Sequence, residues 1–350
     1  MDDRAPVTLQ DIATAASVSV STASRALTGR GDLALGTRNR VLGVASKLGY
    51  GQRRSLRGRN SSLDRTIVEL VLGSFDDAWT AAIVMGARRA AFDRGLDLVL
   101  TLAREDPTDD WPARVAARRS CGVVLGLIRP TRRQLATMTA AHVPVAVIDP
   151  RSDPRGEVAS VGTTDWQGGF DAGKHLVSTG LSTFVVVRGV PRYRFGRARE
   201  EGFRQAIAEV KEEAVIYQID GAWTGADLVR DIAALMKRAT TPLGIFACND
   251  DMALACYAAA SSLGLRIPHD ISVVGFNDEP RAALARPPLT SVHQPLEAMA
   301  ARAVQLVTDE DLSPRRAFDR IELPSRLIVR HSTLPRLSDD TDHHRPAQTR

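Results

Sequence analysis

Apolar residues recur at helical spacing over the first 50 residues of the chain. They mark three segments, 9–16, 21–27 and 38–48. Thr8 and Thr37 precede the first and third segments, where a hydroxyl can cap a helix, and Gly29 and Gly49 follow the second and third. The pattern predicts a small all-α domain of three short helices over 1–50.

A different pattern begins at residue 66. Apolar, β-branched runs predict strands at 67–72, 96–102, 122–128, 143–148, 184–188, 215–219, 243–247 and 271–276. Helical stretches lie between them, among them 81–94, 168–178, 200–209 and 252–263. This alternation is typical of parallel sheets with helices on both faces. So many strands favour an α/β body of two doubly wound lobes rather than one sheet.

The two patterned regions are separated and followed by polar sequence. Residues 51–65 are basic and contain glycine, which predicts a hinge or linker. Residues 331–350 are rich in Asp, Ser and His, and we expect a disordered tail there. The body is therefore predicted to span 66–330.

Composition narrows the function classes. The net charge is +5, and residues 1–60 carry ten Lys and Arg against four Asp, so the basic excess lies in the head and favours a nucleic-acid partner. Cys121, Cys248 and Cys256 form no CxxC pair, and no 18-residue apolar stretch or signal peptide occurs, so we expect a cytoplasmic protein with no membrane contact. The chain has no G-x-S-x-G, H-E-x-x-H or Walker A motif, and we expect no enzyme activity, cofactor or metal.

The spacing in the head predicts a helix-turn-helix. The small residues Ala13 and Ala16 allow the first helix to approach the second closely, and the second begins with hydroxyl-bearing residues. Its first turn can enter the major groove of DNA, where Arg25 can reach guanine O6 and N7. An ordinary amphipathic helix pair is the alternative that spacing alone leaves open.

Segment 7–27 resembles the DNA-binding head of the lactose-repressor (LacI) family. The resemblance rests on Val7-Thr8-Leu9, Asp11-Ile12-Ala13, Ala16, Val18-Ser19 and Thr22-Ala23-Ser24-Arg25, and it continues through Thr37–Val41 and Leu48-Gly49-Tyr50. It implies base contacts from Val20, Ser21 and Arg25. It implies phosphate contacts from Thr8, Thr22, Ser24 and Asn39.

The hinge departs from the family pattern. Gln52-Arg53 follows Tyr50 where the family has Pro-Asn, and Ser55-Leu56-Arg57 is similar to the end of the family's hinge helix, brought forward by about three residues. One interpretation is that Leu56 still wedges into the minor groove, flanked by Arg54 and Arg57. The other is a flexible hinge that contacts only the DNA backbone through its four arginines.

The resemblance extends through the body to about residue 330, on five segments: 165–169, 199–203, 248–253, 271–278 and 288–292. It implies two α/β lobes of periplasmic-binding-protein type, with lobe one over 66–163 and 294–324 and lobe two over 164–293. A ligand would lie between the lobes, at the carboxyl ends of the strands. The family positions imply effector contacts from Trp79, Asp149, Arg199, Trp223, Asn249, Asn277 and Gln294.

Each effector residue also has a structural interpretation. Asp149 is equally suited to capping a turn, and Trp79 to the core of lobe one. As a set they favour a sugar cleft, because an indole stacks on a sugar ring while Asn, Asp and Arg bind its hydroxyls. Arg192 and Arg194 are weaker candidates, since a basic loop is ordinarily solvated.

Together these features predict a carbohydrate-responsive transcriptional repressor: a homodimer that binds double-stranded operator DNA under the control of a small sugar. The alternative is a stand-alone sugar-binding protein of transport. That class needs a signal peptide and has no use for a basic head.

Overall fold

The computed structural model of the chain describes residues 8–28, 34–47, 66–103, 110–152, 158–223, 228–309 and 320–335. The chain divides into two compact units, Met1–Asp64, which contains the head, and Arg65–Arg350, which contains the body. No helix among these residues is long and apolar enough to cross a membrane.

The head contains three described helices: α1 (Leu9–Ala15), α2 (Val20–Thr28) and α3 (Leu35–Lys47). Thr8 and Asp11 form a capping box that begins α1: the Thr8 hydroxyl accepts from the Asp11 N–H at 3.3 Å, and the Thr8 N–H donates to the Asp11 carboxylate at 2.7 Å. Ser19 begins α2 by accepting from the Thr22 N–H at 3.1 Å. The core consists of small and β-branched side chains, namely Ile12, Ala13, Ala16, Ala23, Ala26, Val41 and Ala45.

Thr37 does not cap the third helix, so this prediction is wrong. The Ala34 carbonyl accepts from the N–H groups of Thr37 and Arg38, at 2.9 and 3.1 Å. Helix α3 therefore begins at Leu35, and Thr37 lies in its first turn.

The body contains two six-stranded sheets, and the predicted α/β fold class is confirmed. The first sheet has the strand order β11-β5-β4-β3-β1-β2, from β1 (Ile67–Leu72), β2 (Asp97–Leu102), β3 (Gly122–Gly126), β4 (Val145–Ile148), β5 (Ala159–Thr163) and β11 (Arg320–Leu323). The second has the order β12-β10-β9-β8-β6-β7, from β6 (Thr183–Arg188), β7 (Val215–Asp220), β8 (Leu243–Ala247), β9 (Ile271–Asn277), β10 (Thr290–His293) and β12 (Arg326–Ile328). The strand pairs are parallel except that β12 runs antiparallel to β10.

Helices cover the sheets and define two lobes. Lobe one carries α4 (Ala78–Asp93), α5 (Trp111–Arg118), α6 (Arg132–Ala140) and α12 (Leu296–Thr308). Two separate apolar cores, one with α4 and α12 and one with α5 and α6, enclose its sheet. Lobe two carries α7 (Asp165–Ser178), α8 (Arg194–Ala208), α9 (Val229–Arg238), α10 (Asp250–Ser262) and α11 (Pro280–Leu284) around one larger core.

The chain passes between the lobes three times. It leaves lobe one between β5 and α7, returns between β10 and α12, and leaves again between β11 and β12. Near the third passage, the Thr164 N–H donates to the Leu323 carbonyl at 3.0 Å, which holds the first and third connections side by side.

The prediction of a disordered tail from residue 331 is wrong for residues 331–335. The Ser332 hydroxyl donates to the Val273 carbonyl and accepts from the Thr290 N–H at 2.8 Å, and both Ser332 and Thr333 are buried. Thr333 also pairs with the His175 ring at 2.8 Å. These bonds attach the segment to lobe two, because its hydroxyls satisfy backbone groups near two strands.

Candidate functional site

Helix α2 turns one side toward solvent. Val20, Ser21 and Arg25 are exposed, whereas Ala23 and Ala26 lie in the head core. The Arg25 Nε–H donates to the Ser21 carbonyl at 3.4 Å, which lays the side chain back along the helix. The solvent-facing side of α2 thus carries all three predicted base-contacting residues.

The predicted phosphate contacts are distributed over the three helices of the head. Ser24 and Thr22 are half-buried on α2, and the Thr22 hydroxyl bonds to Ser19 Oγ at 2.8 Å. Asn39 is exposed on α3, and Thr8 is exposed where it caps α1. Arg54, Leu56 and Arg57 lie outside the described residues.

In the body, polar side chains gather at the carboxyl ends of strands. Asp149 follows β4, Asn277 ends β9 and Gln294 follows β10. Asp149 and Asn277 have φ angles of 44° and 109°, in a region that residues with a Cβ rarely adopt. Such strained backbone concentrates at ligand sites, because the surrounding structure holds it there.

Arg199 is the hub of this cluster. It lies on α8 with only 3% of its surface exposed, and its guanidinium stacks 3.7 Å from the centre of the Phe276 ring. Its Nε–H donates to Asp165 Oδ1 at 2.8 Å. Its Nη groups donate to three further acceptors: the Cys248 carbonyl at 2.7 Å, Asn277 Oδ1 at 3.4 Å and Gln294 Oε1 at 3.3 Å.

Gln294 connects this hub to lobe one. Its Nε2 donates to Asp149 Oδ2 at 2.7 Å, and the Trp79 indole N–H donates to the same oxygen at 3.3 Å. Trp79 itself lies in the core of lobe one. Burial, and next the neighbouring Asp165 carboxylate, raise the pKa of Asp149 to about 7. Asp149 therefore occupies a site where its charge is costly.

Trp223 and Asn249 form a second cluster beside the hub. Asn249 caps α10 by accepting from the Met252 N–H at 2.9 Å, and its Nδ2 donates to the Trp223 carbonyl at 2.8 Å. The Trp223 indole lies 5.0 Å from the Phe195 ring and 6.2 Å from the Tyr193 ring. Phe195 also lies 5.5 Å from the Arg199 guanidinium, so it joins the two clusters.

The two lobes touch directly at the edge of this site. The Arg194 N–H of lobe two donates to the Arg151 carbonyl of lobe one at 3.0 Å, and the Arg151 guanidinium lies 4.9 Å from the Tyr193 ring. A small cavity of about 10 Å³ lies alongside, lined by Asp149, Ser160 and Thr163 from lobe one and by Asp165, Arg194 and Phe195 from lobe two.

Three buried polar atoms near the cavity have no hydrogen-bond partner among the described residues: Asp149 Oδ1, Ser160 Oγ and Trp223 Nε1. Unsatisfied buried groups are rare in folded proteins and often mark places where a ligand or water binds. Asp165, Ser160, Tyr193 and Phe195 were not predicted as site residues. The one available signal was the position of Asp165, a carboxylate immediately after a strand at the start of a helix.

Comparisons with known proteins agree with both units. Residues 8–52 match the family model of bacterial regulatory proteins of the lacI family, and residues 174–333 match a periplasmic binding protein-like domain. Together the two models cover more than half of the chain. The chain belongs to the LacI family.

Relatives that are named transcriptional regulators match this chain over nearly its whole length. The transcriptional regulator DegA of Bacillus subtilis is 27% identical over 340 residues, which is 94% of this chain and 98% of DegA. The repressor PurR of Klebsiella pneumoniae is 27% identical over 93% of this chain and 96% of PurR. The LacI-family protein described here is accordingly a DNA-binding transcriptional regulator.

Solved structures agree with the fold. A complex of the transcriptional regulator CelR with cellobiose has a TM-score of 0.67 and 28% identity, and the match covers 93% of this chain and 99% of CelR. A lac repressor dimer bound to operator and an anti-inducer has a TM-score of 0.68 at 22% identity, over 95% of this chain and all of that one. The second likeness concerns the fold alone.

Proposed function

We propose that this protein is a homodimeric repressor whose operator affinity is controlled by a small carbohydrate bound between the two lobes of the body. The observation that carries the proposal is the hydrogen-bonded chain from Asp149 in lobe one, through Gln294, to Arg199 in lobe two. A ligand that contacts both ends of this chain would stabilise one relative arrangement of the lobes.

The chemistry of the cleft supports a polyhydroxylated effector. Asp149 Oδ1 offers an unused acceptor and Trp223 Nε1 an unused donor, and a sugar hydroxyl can serve either. The aromatic rings of Tyr193, Phe195 and Trp223 supply flat apolar surface nearby. The structure of the relative CelR is a complex with cellobiose, which agrees with an effector of this class.

A homodimer is supported by apolar surface on lobe one. Phe92 is 79% exposed, and Met85, Leu100 and Leu102 are also exposed on α4 and β2, which are neighbouring elements. Such a patch on a regulator of palindromic operators suits a second copy of the same chain.

We propose three domains: a DNA-binding head over 1–50, a hinge over 51–65 and an effector-binding body over 66–335. The packing of residues 331–335 on lobe two extends the body beyond the limit expected from the sequence. As an operator-binding protein it would act on the chromosome, in the cytoplasm.

The DNA half of the proposal is tested with the gene's own upstream DNA. We expect the wild type to shift this DNA in a gel and to lose affinity steeply with salt, by a log–log slope of about −0.9 for each phosphate contact. Arg25→Ala should lose about 1–3 kcal/mol per half-site. Arg230→Ala alters an arginine of lobe two whose side chain is 91% exposed; it is the matched control and should bind normally.

The effector half is tested by calorimetry with a panel of mono- and disaccharides, followed by operator titration with each sugar that binds. We expect at least one sugar to bind and to change operator affinity. If operator binding holds but no sugar alters it, the carbohydrate assignment is wrong. If sugar binds but no DNA does, the chain is a stand-alone sugar-binding protein instead.

A further inference from the structure

Helices α7 and α8 approach each other unusually closely at the site. A Cβ added at Gly202 would lie 2.0 Å from the Trp166 carbonyl oxygen, and one added at Gly169 would lie 2.0 Å from the Arg199 carbonyl oxygen. Any side chain at these two positions would collide with the facing helix, so only glycine allows the two backbones to pack this closely. The contact brings Asp165, the first residue of α7, within hydrogen-bond reach of the Arg199 side chain on α8.

Asp165 accepts the hydrogen bond from the Arg199 Nε–H, and this bond fixes the directions in which the Nη groups donate. With Nε held at 2.8 Å and the plane stacked on Phe276, the Nη groups point to the Cys248 carbonyl, Asn277 and Gln294. A guanidinium is a rigid planar fork, so fixing one edge and its plane fixes the remaining donors.

Asp149 competes for the same cation. A single amide group separates it from Arg199, since Gln294 accepts from Arg199 at 3.3 Å and donates to Asp149 at 2.7 Å. Both carboxylates are buried, and a nearby opposite charge favours the charged form of a carboxylate. Arg199 nevertheless bonds to Asp165 in lobe two and not to Asp149 in lobe one.

We propose that Asp165 is a positioning residue for effector recognition: it retains Arg199 on lobe two and thereby keeps Asp149 Oδ1 available to the effector. Without the charge of Asp165, Arg199 turns to Asp149 and forms an ion pair between the lobes. That pair occupies the acceptor that a ligand needs. The inference rests on the proposed function and adds to it a residue that acts through Arg199.

Asp165 also lies where the proposed switch operates. It follows the first connection between the lobes by one residue, and Gln294 belongs to the second connection. The bond from Thr164 to Leu323 adds the third. Arg199 therefore pairs with Asp165 or with Asp149 beside all three connections. At this place a small displacement changes the angle between the lobes.

The test compares Asp165→Asn with the wild type and with Asp171→Asn, a control on the same helix whose carboxylate bonds only to Gln167 among the described contacts. The Asn variant keeps the shape and an acceptor while removing the charge. We expect sugar affinity to fall at least tenfold in Asp165→Asn. In Asp171→Asn we expect sugar affinity to stay within about twofold of wild type and operator binding in the absence of sugar to be retained.

An effector-free crystal structure of Asp165→Asn gives a second readout that needs no ligand. We expect the Arg199 guanidinium within hydrogen-bond distance of Asp149. If Arg199 keeps its bonds to residue 165, Asn277 and Gln294, the proposal is overturned, whatever happens to affinity. Wild-type sugar affinity in the variant would overturn it equally.

A third variant covers the case in which Asp165→Asn does not fold. Arg199→Lys keeps the positive charge but loses the planar set of guanidinium donors. One ammonium group cannot both bond to Asp165 and orient Gln294. We expect at least a tenfold loss of sugar affinity, and normal binding would refute the positioning role. If the wild type binds no sugar at all, the carbohydrate assignment fails, whereas the position of Arg199 in the ligand-free variants still decides the role of Asp165.

Discussion

Removal of the Arg199 side chain is the perturbation with the largest expected effect on the body. Arg199→Ala deletes four hydrogen bonds at once and the stacking on Phe276. It also leaves Asp165, whose side chain is only 8% exposed, without its counter-ion. The loss is therefore chiefly the cost of an unpaired buried charge, and the lost contacts add to it.

The magnitude follows from that distinction. Charged hydrogen bonds contribute about 1.5–3 kcal/mol each, but the guanidinium pays for its own desolvation in the folded state, so the four bonds are not summed. Breaking a buried ion pair by removing one partner costs about 3–5 kcal/mol, a large part of the roughly 5–15 kcal/mol that stabilises a typical domain. Burial already raises the pKa of Asp165, and without Arg199 protonation becomes easier still. The loss should therefore be smaller at pH 5 than at pH 8.

Urea unfolding of the full chain, followed by circular dichroism at both pH values, measures this loss. Arg204→Ala is the matched control: it lies on the same helix, its side chain is 36% exposed, and it bonds to Glu200 at 2.9 Å. We expect the control to lose no more than about 1 kcal/mol. If Arg199→Ala is no less stable than Arg204→Ala, Asp165 is not paired in solution as it is in the structure, and the reasoning about the hub is wrong.

Two further predictions concern packing and pH. Gly202→Ala should force α7 and α8 apart, because its Cβ would meet the Trp166 carbonyl oxygen. We expect thermal unfolding to show a loss of about 1–3 kcal/mol in the free energy of unfolding. Gly73→Ala is the neutral control, since a Cβ there meets no atom within 4 Å. Burial raises the pKa of Asp250 to about 8, far above the value near 3.9 of an unfolded chain, so the folded state holds the extra proton between these values and stability falls as pH rises through that window. In urea titrations at several pH values, Asp250→Asn should lack this contribution of up to about 1.4 kcal/mol per pH unit, and parallel pH profiles for the two proteins would contradict it.

Much of the fold could be predicted because local periodicity encodes it. The eight strands predicted from apolar runs all occur in the structure, with ends that differ by only a few residues. The strands that were missed, β5, β10, β11 and β12, are three to five residues long and mix apolar with polar positions. A short strand at or near a sheet edge has too little pattern of its own, and its pairing with distant strands decides its conformation.

The effector residues show the same division. Asp149 and Asn277 could be predicted because each stands at the end of an apolar strand, and parallel strands bring such ends together. Which of the buried polar residues bond to each other could not be predicted from the sequence. That Arg199 would bond to Asp165 and not to Asp149 depends on the approach of α7 to α8 at two glycines, which no local pattern expresses.

The sequence by itself therefore determined the helical head, the two parallel sheets and the edge of each sheet at which a site would form. These follow from interactions between residues near in the chain, or from periodicities that any sheet imposes. The tertiary structure alone decided which partner each buried charge takes, how residues 331–335 attach to lobe two, and which polar atoms are left unsatisfied. Those outcomes depend on competition among groups far apart in the chain, such as Asp149 and Gln294, which are 145 residues apart. Only the packed structure brings such groups within hydrogen-bond distance.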